Sequence, residues 1–138
     1  MKKLLLVATL FSLASAADAA SAIAGNWLTE DGKGIVVIGP CGAQVCGKIL
    51  KITVPHTGTL FDKDNADPKL RGRPLIGLNI LSGFKDAGKQ WEGQIYSPER
   101  GKTYRSVVYR NGNGTLTVKG CISFLCQTQI WKPAGISG

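Results

Sequence analysis

The chain has 138 residues, 43% of them hydrophobic, and its 17 lysines and arginines against nine acidic residues give a formal charge of +8 at pH 7. One small domain can be built from this length, but two cannot. The basic residues are scattered singly, which argues against nucleic-acid binding, and attraction to anionic surfaces or simple solubility explains the charge.

A secretory signal peptide is predicted over residues 1–20. Lys2 and Lys3 supply the positive start, an apolar run covers residues 4–14, and two A-x-A cleavage options follow at 14–16 and 17–19. A run of this length is well short of the ~20 residues that a transmembrane helix needs, so no membrane span is expected. Removal of the leader leaves 15 basic and 8 acidic residues, a charge of +7. The remaining domain, residues 21–138, is expected in the periplasm or outside the cell.

Eight short β-strands are predicted in this domain, and no long helix. Each strand alternates apolar and polar residues or is rich in β-branched residues, and Gly, Pro, Asn or Asp interrupts the pattern about every ten residues. Leu116 and Val118, for example, alternate with polar neighbours, as a sheet with one dry face requires. The predicted strands cover residues 23–29, 34–38, 45–54, 75–82, 89–96, 102–110, 115–121 and 127–132.

Most connectors carry the chemistry of tight turns, such as Asp31-Gly32, where glycine accepts a positive φ. Consecutive strands joined this way are antiparallel neighbours, and eight of them either close into a barrel or split into a sandwich. The exception is a connector of about 20 residues, from Pro55 to Pro74, which is predicted to be a flexible lid or binding loop. It contains His56, the only histidine, which we expect to be exposed to solvent.

The four cysteines form two C-x4-C pairs, Cys41 with Cys46 and Cys121 with Cys126. Disulfides are expected in an oxidising compartment, and zinc is not, because the spacing is unusual for zinc and the chain has a single histidine. The local pairing is preferred because residues flanking a four-residue turn lie opposite each other. A crossed pairing stays open, because its longer rings would be worth about 4 to 5 kcal/mol on the loop-entropy model, against roughly 2 kcal/mol for each local ring.

The segment Gly25-Asn26-Trp27 resembles the G-x-W signature of lipocalins and avidin-like barrels. Together with CGKI at 46–49, RGRPLIGL at 71–78, YSPERGKTY at 96–104 and QTQIW at 127–131, it makes nearly the whole domain resemble the exported bacterial domain-of-unknown-function 2147 family. The resemblance implies a single eight-stranded antiparallel up-and-down lipocalin-like β-barrel that binds a small ligand and has no established enzymatic activity. It also implies a basic side chain over Trp27, where Lys132 would stack more weakly than an arginine.

No catalytic or metal site is predicted. Nucleophilic catalysis needs a base beside the nucleophile, and His56 lies in a loop of a chain without a G-x-S-x-G elbow. Glu92 and Glu99, weighed as a glycosidase pair, fall on the polar side of a strand and in a turn. A calcium loop is matched poorly, because Asp67 and Arg73 stand where glycine and glutamate are required. We therefore expect no enzyme, metal or cofactor.

Aromatic and basic residues accumulate next to the long connector and the 97–101 turn, which should crown one end of the barrel. Aromatic walls with a few charges are typical of a ligand pocket. The alternative is that these residues fill the core and hold the loop, because an eight-stranded barrel is just wide enough to be solid or to hold one small ligand. The candidate ligand-binding residues are Trp27, Arg71, Arg73, Trp91, Tyr96, Glu99, Lys102 and Tyr104.

Two functions are compatible with this pattern. An exported carrier of a small apolar or amphipathic ligand, anionic if Arg71, Arg73 and Lys102 line the mouth, requires a pocket of about 300 Å³ or more. A surface module would instead bind an anionic envelope polymer or a partner protein through the same three cations and Arg105, and would be sensitive to salt.

Overall fold

The computed structural model describes residues 7–9, 22–54 and 59–135. Most of the predicted signal peptide and His56 lie outside these ranges, so the leader and the exposure of His56 stay predictions. Within the same ranges, no helix is long and apolar enough to cross a membrane.

Eight strands follow one another around a closed barrel. Each strand pairs antiparallel with the next, and the last closes on the first, where Trp27 pairs with Pro133 and Leu28 with Lys132. The predicted all-β antiparallel up-and-down barrel is confirmed, and closure excludes the sandwich. The strands are β1 Gly25–Leu28, β2 Gly34–Cys41, β3 Gln44–Ile52, β4 Asn79–Asp86, β5 Trp91–Ser97, β6 Lys102–Arg110, β7 Leu116–Ile122 and β8 Leu125–Pro133.

The fourth strand differs most from its predicted bounds of 75–82, since β4 begins four residues later, at Asn79, and continues to Asp86. Of the apolar residues before it, Leu75 is buried under the connector, whereas Ile76 is 52% exposed. Leu75 is 9% exposed, and its amide donates to the carbonyl of Leu60, 2.9 Å away. Burial therefore explains the apolar residue at Leu75, whose backbone belongs to the long connector.

The cysteines are bonded in the local pairing, Cys41 with Cys46 and Cys121 with Cys126. The predicted four-residue turns are wrong, because the turn within each cystine ring has only two residues, 42–43 in the first hairpin and 123–124 in the second. Cys121 and Cys126 are direct partners across β7 and β8, with Cα atoms 4.0 Å apart. Cys41 instead lies opposite Gln44, so the Cys41–Cys46 cystine is diagonal and its Cα atoms are 5.5 Å apart.

Strand order defines two ends of the barrel. The loops after β1, β3, β5 and β7 share one end, called the mouth, and the turns after β2, β4 and β6 share the other, called the closed end. Large inward side chains fill the barrel toward the closed end, and burying each contributes roughly 1.5–3 kcal/mol. The core there includes Ile23, Trp27, Ile38, Val45, Phe84, Trp91, Val108, Leu116 and Trp131.

Gly93 shows how tightly this end is packed. A Cβ atom on Gly93 would lie 2.7 Å from Cδ2 of Phe84 and 2.7 Å from the carbonyl oxygen of Ser82. A real Cβ atom does not tolerate such a contact, so a glycine in the middle of β5 lets the Phe84 ring cross the inside of the barrel.

The basic residue over Trp27 is Arg110, at the end of β6, and its Cζ atom lies 5.5 Å from the ring centroid. The expectation that Lys132 would stack there is wrong. Trp131, its neighbour in β8, is inside and 2% exposed, so alternation turns Lys132 outward. The Trp27 indole is also held by its Nε1, which donates to the carbonyl of Ile23 at 3.0 Å.

Candidate functional site

A partly enclosed pocket of about 280 Å³ lies inside the barrel at the mouth. Trp131, at 2% exposure, contributes to its floor, where the filled closed end begins. Asp31, Lys33, Asp64 and Glu99 are the charged residues of its lining. Its apolar lining comes from the strands and the long connector: Val36, Ile49, Ile52, Val54, Phe61, Leu75, Ile80 and Ile95.

A second pocket of about 480 Å³ adjoins the first and lies between β5, β6, β7 and β8. The two share Ile95, Ser97, Glu99 and Gln129 in their linings. The second is the more polar, since Arg100, Tyr104 and Gln127 also line it. We treat the two together as the mouth cavity.

Two glutamines of β8 face the inside of this cavity. Gln129 pairs with Val118, and Gln127 with Gly120, all on the inner face. Gln129 Oε1 accepts from Nε1 of Trp131 at 2.8 Å, which fixes the amide above the apolar floor. Sequence reasoning missed both residues, because Thr128 and Ile130 alternate with them and suggest the opposite face.

Beside the cavity, Asp62 is buried, at 1% exposure, and accepts hydrogen bonds from three other side chains. Its carboxylate accepts from Arg73 Nε at 2.8 Å, Asn65 Nδ2 at 2.8 Å and the Tyr96 hydroxyl at 2.6 Å. The guanidinium of Arg73 also lies over the Tyr96 ring, 5.3 Å from its centroid. These four residues, called the Asp62 network, compensate for the cost of burying a charge.

The network fastens the long connector to Tyr96 of β5, and a backbone hydrogen bond joins the connector to the turn between β5 and β6. Arg71 Nε donates to the carbonyl of Asn65 at 2.9 Å, and the amide of Ala66 donates to the carbonyl of Gly101 at 3.3 Å. Gly101 has a φ of +65°, and a Cβ atom there would lie 1.8 Å from the Asp64 carbonyl oxygen. Only glycine fits this crossing. Over residues 59–74, the connector that was predicted to be flexible is therefore attached to the barrel.

The environment of Tyr96 changes its acidity. Burial first, and the hydrogen bond and negative charge of Asp62 next, raise the pKa of Tyr96 from 10.0 to about 12. All three causes disfavour a tyrosinate. At neutral pH the hydroxyl is therefore a permanent donor to Asp62, and it has a structural role instead of an acid–base one.

The structure separates the eight candidate ligand-binding residues into three groups. Trp27 and Trp91 are part of the packed core. Arg71 and Arg73 hold the connector. The remaining candidates lie at the mouth: Tyr96 and Glu99 line the first pocket, Glu99 and Tyr104 line the second, and Lys102 pairs with Ser97 across β5 and β6.

The charge of the cavity differs from the charge that the sequence suggested. An anionic ligand was expected only if Arg71, Arg73 and Lys102 lined the mouth, and none of the three is in the lining of either pocket. Three acids and one lysine line the first pocket instead, and Arg100 and the shared Glu99 are the charged residues of the second. Among the residues that the structure describes, no group of three His, Cys, Asp or Glu side chains could hold a metal ion.

Comparison with known proteins places the chain in a family. The model of the family described as "Uncharacterized protein conserved in bacteria (DUF2147)" matches residues 25–133. A solved structure, "Protein HP1028 from the human pathogen Helicobacter pylori belongs to the lipocalin family", is similar with a TM-score of 0.72 and 24% identity over 83% of this chain and 84% of that one. No curated protein matches the chain. The chain belongs to the DUF2147 family and has the lipocalin-like fold that its sequence resembles.

Proposed function

We propose that the domain is an exported, non-enzymatic binding protein that holds a small apolar or amphipathic molecule in the mouth cavity. One observation carries the proposal: the barrel contains an apolar pocket of about 280 Å³ above a packed floor. Alone this volume is just below the ~300–1,000 Å³ of small-molecule sites, and the adjoining second pocket of about 480 Å³ brings the mouth cavity into that range. Side chains that merely completed the core would have filled it.

The polar residues of the cavity indicate which end of a ligand would face outward. The deep lining is aliphatic, whereas Gln129, Ser97 and Glu99 lie where the two pockets meet. Amides and hydroxyls orient a ligand by hydrogen bonding, and the acids of the first pocket disfavour a negative headgroup. The preferred ligand is therefore amphipathic, with an apolar body and a neutral or positively charged polar end.

Binding is tested with a neutral, environment-sensitive dye such as Nile red, and with native mass spectrometry of protein purified from its host. Ile95 lines both pockets, so Ile95→Trp should fill the cavity and weaken dye binding at least about tenfold, as expected when ligand burial is lost. Ile130→Trp is the matched control, because Ile130 lies outside both linings and is 38% exposed. Equal dye binding by the two folded variants, or none by the wild type, would contradict the proposal.

The surface module that the sequence also allowed is less well supported. Of the four cations that this function would use, Arg71 and Arg73 are hydrogen-bonded within the connector. Fewer cations are therefore presented together than the sequence suggested. Ionic strength separates the two functions, since binding to an anionic polymer weakens steeply with salt and apolar binding does not.

A further inference from the structure

The hairpin between β7 and β8 ends in an exposed apolar tip. Phe124 is 86% exposed, more than any other large apolar residue in the described ranges, and Leu125 and Ile122 are 69% and 62% exposed. The tip stands at the mouth, beyond the Cys121–Cys126 cystine. We call residues 121–126 the finger. A side chain as apolar as Phe124 at a loop tip costs solubility, so its exposure points to an interaction surface.

The finger is held rigidly in place. Its two strands are joined by the cystine just below the tip, and Arg105 Nη2 binds the carbonyl of Ser123 at 3.0 Å. Ser123 has a φ of 56°, the only positive value of a non-glycine residue in the described chain. A positive φ at the first residue of a two-residue hairpin turn is what the primed turn types require, so the turn has a defined geometry. Phe124 is thus presented in a fixed position.

The charges next to the finger are mainly positive. The finger contains no acidic residue. Arg105 pairs with Cys121 at its base, Lys102 lies three residues nearer the mouth on β6, and Arg100 Nη2 reaches Gln127 Oε1 at 3.5 Å. All three cations are exposed, and Glu99 is the one acid in the adjoining turn. The apolar tip is therefore bordered by a cationic surface.

We propose that the finger docks the protein on an anionic lipid bilayer, with Phe124 in the interfacial region and the three cations against the headgroups. Aromatic side chains favour that region, and each nearby cation adds attraction to anionic lipid. A second copy of the chain is a poorer occupant, because a symmetric contact would bring two sets of these cations face to face. The small apolar area also suits insertion better than a protein interface, which typically buries ~800 Å² on each partner.

Docking in this way would turn the mouth toward the lipid. Ile122 and Leu125 form part of the lining of the second pocket, so the finger is also one wall of the mouth cavity. If the cavity binds a ligand as proposed above, the docked protein could exchange an amphipathic ligand with the bilayer. Docking itself does not depend on that function. Dye binding by Phe124→Ser separates the two, because the variant should lose vesicle binding and keep dye binding.

The first experiment uses Phe124→Trp. The three native tryptophans are 2%, 8% and 2% exposed, so the introduced indole is the one that acrylamide quenches strongly. Vesicles of equal parts phosphatidylcholine and phosphatidylglycerol should protect it and shift its emission to the blue, while phosphatidylcholine vesicles should not. Unchanged quenching with the anionic vesicles would overturn the proposal.

The second experiment measures flotation of the wild type and of Phe124→Ser with the same anionic vesicles. Losing the aromatic anchor should weaken binding at least about tenfold, and added salt should weaken the binding of both proteins. Leu50→Ser is the matched control, since Leu50 is 44% exposed and lies on β3, away from the finger. Equal flotation of the wild type and Phe124→Ser would overturn the proposal, and so would self-association that Phe124→Ser abolishes.

Discussion

The substitution Asp62→Ala tests whether the connector is attached to the barrel through the Asp62 network. It removes an acceptor that binds Arg73, Asn65 and the Tyr96 hydroxyl. Asn65 is itself 6% exposed, so its amide is left largely without water to replace the lost bond. We expect the connector to detach at its centre, while the eight strands and both cystines keep the barrel closed.

The magnitude follows from the burial of the partners. The carboxylate of Asp62 is fully buried, whereas the side chain of Arg73 is 33% exposed. Removing one partner of a buried ion pair costs about 3–5 kcal/mol, but solvent screens the exposed part of Arg73, which reduces its share. Loss of the hydrogen bonds that Asn65 and the Tyr96 hydroxyl donate to Asp62 adds roughly 1 kcal/mol for each bond. With the share of the ion pair reduced to about 1–2 kcal/mol, a destabilisation of about 3–4 kcal/mol, or a Tm about 10 °C lower, is expected.

The free energy of unfolding is measured by urea denaturation without reductant, so that both cystines stay intact. Asp67→Ala is the matched control in the same connector, because Asp67 is exposed and its side chain caps the short 3-10 turn by accepting from the Lys69 amide at 3.0 Å. It should cost about 1 kcal/mol or less, as the loss of a capping residue does. If both variants lose the same stability, the Asp62 network does not hold the connector.

Two further results are expected. Because the pKa of Tyr96 is raised to about 12, its contribution is complete below about pH 10, the usual unfolded value, and is lost toward about pH 12. The stability advantage of the wild type over Tyr96→Phe in urea should therefore stay constant from about pH 8 to 10 and shrink from about pH 10 to 12; an advantage that stays constant above about pH 10 would contradict this. Arg110→Ala should lower the free energy of unfolding by about 1 kcal/mol through the lost contact with Trp27. Lys132→Ala is the control and should change it by less than about 0.5 kcal/mol; equal losses would contradict the assignment of this contact to Arg110.

The eight strands could be predicted because their signals are local. Period-two alternation and turn residues lie within a few positions of each other, and the bounds of β6 are the predicted ones, Lys102–Arg110. The inward face of β8 was harder to predict. Its alternation places Gln127, Gln129 and Trp131 together on one face, which no simple apolar pattern describes, because one half of that face is core and the other half borders the mouth cavity.

The site residues could be selected from the sequence, but their roles could not. Arg73 and Tyr96 stand out as a cation and an aromatic near a long loop, which is also the pattern of a ligand pocket. Their common partner is Asp62, 34 residues before Tyr96. A single sequence contains no signal for a pairing at that distance, so structural and ligand-binding roles are indistinguishable until the chain is folded.

The mouth cavity results from the order of side-chain sizes along the inner faces. From the closed end to the mouth, the inner residues of β7 begin Leu116, Val118, Gly120, and a Cβ atom on Gly120 would have Ile95 Cγ2 as its nearest neighbour, at a comfortable 3.5 Å. Close packing therefore requires a glycine at Gly93 but does not require one at Gly120. Its missing side chain leaves space beside Ile95, inside the second pocket. The absence of a side chain at Gly120 is therefore one reason why the mouth of this barrel is not packed solid.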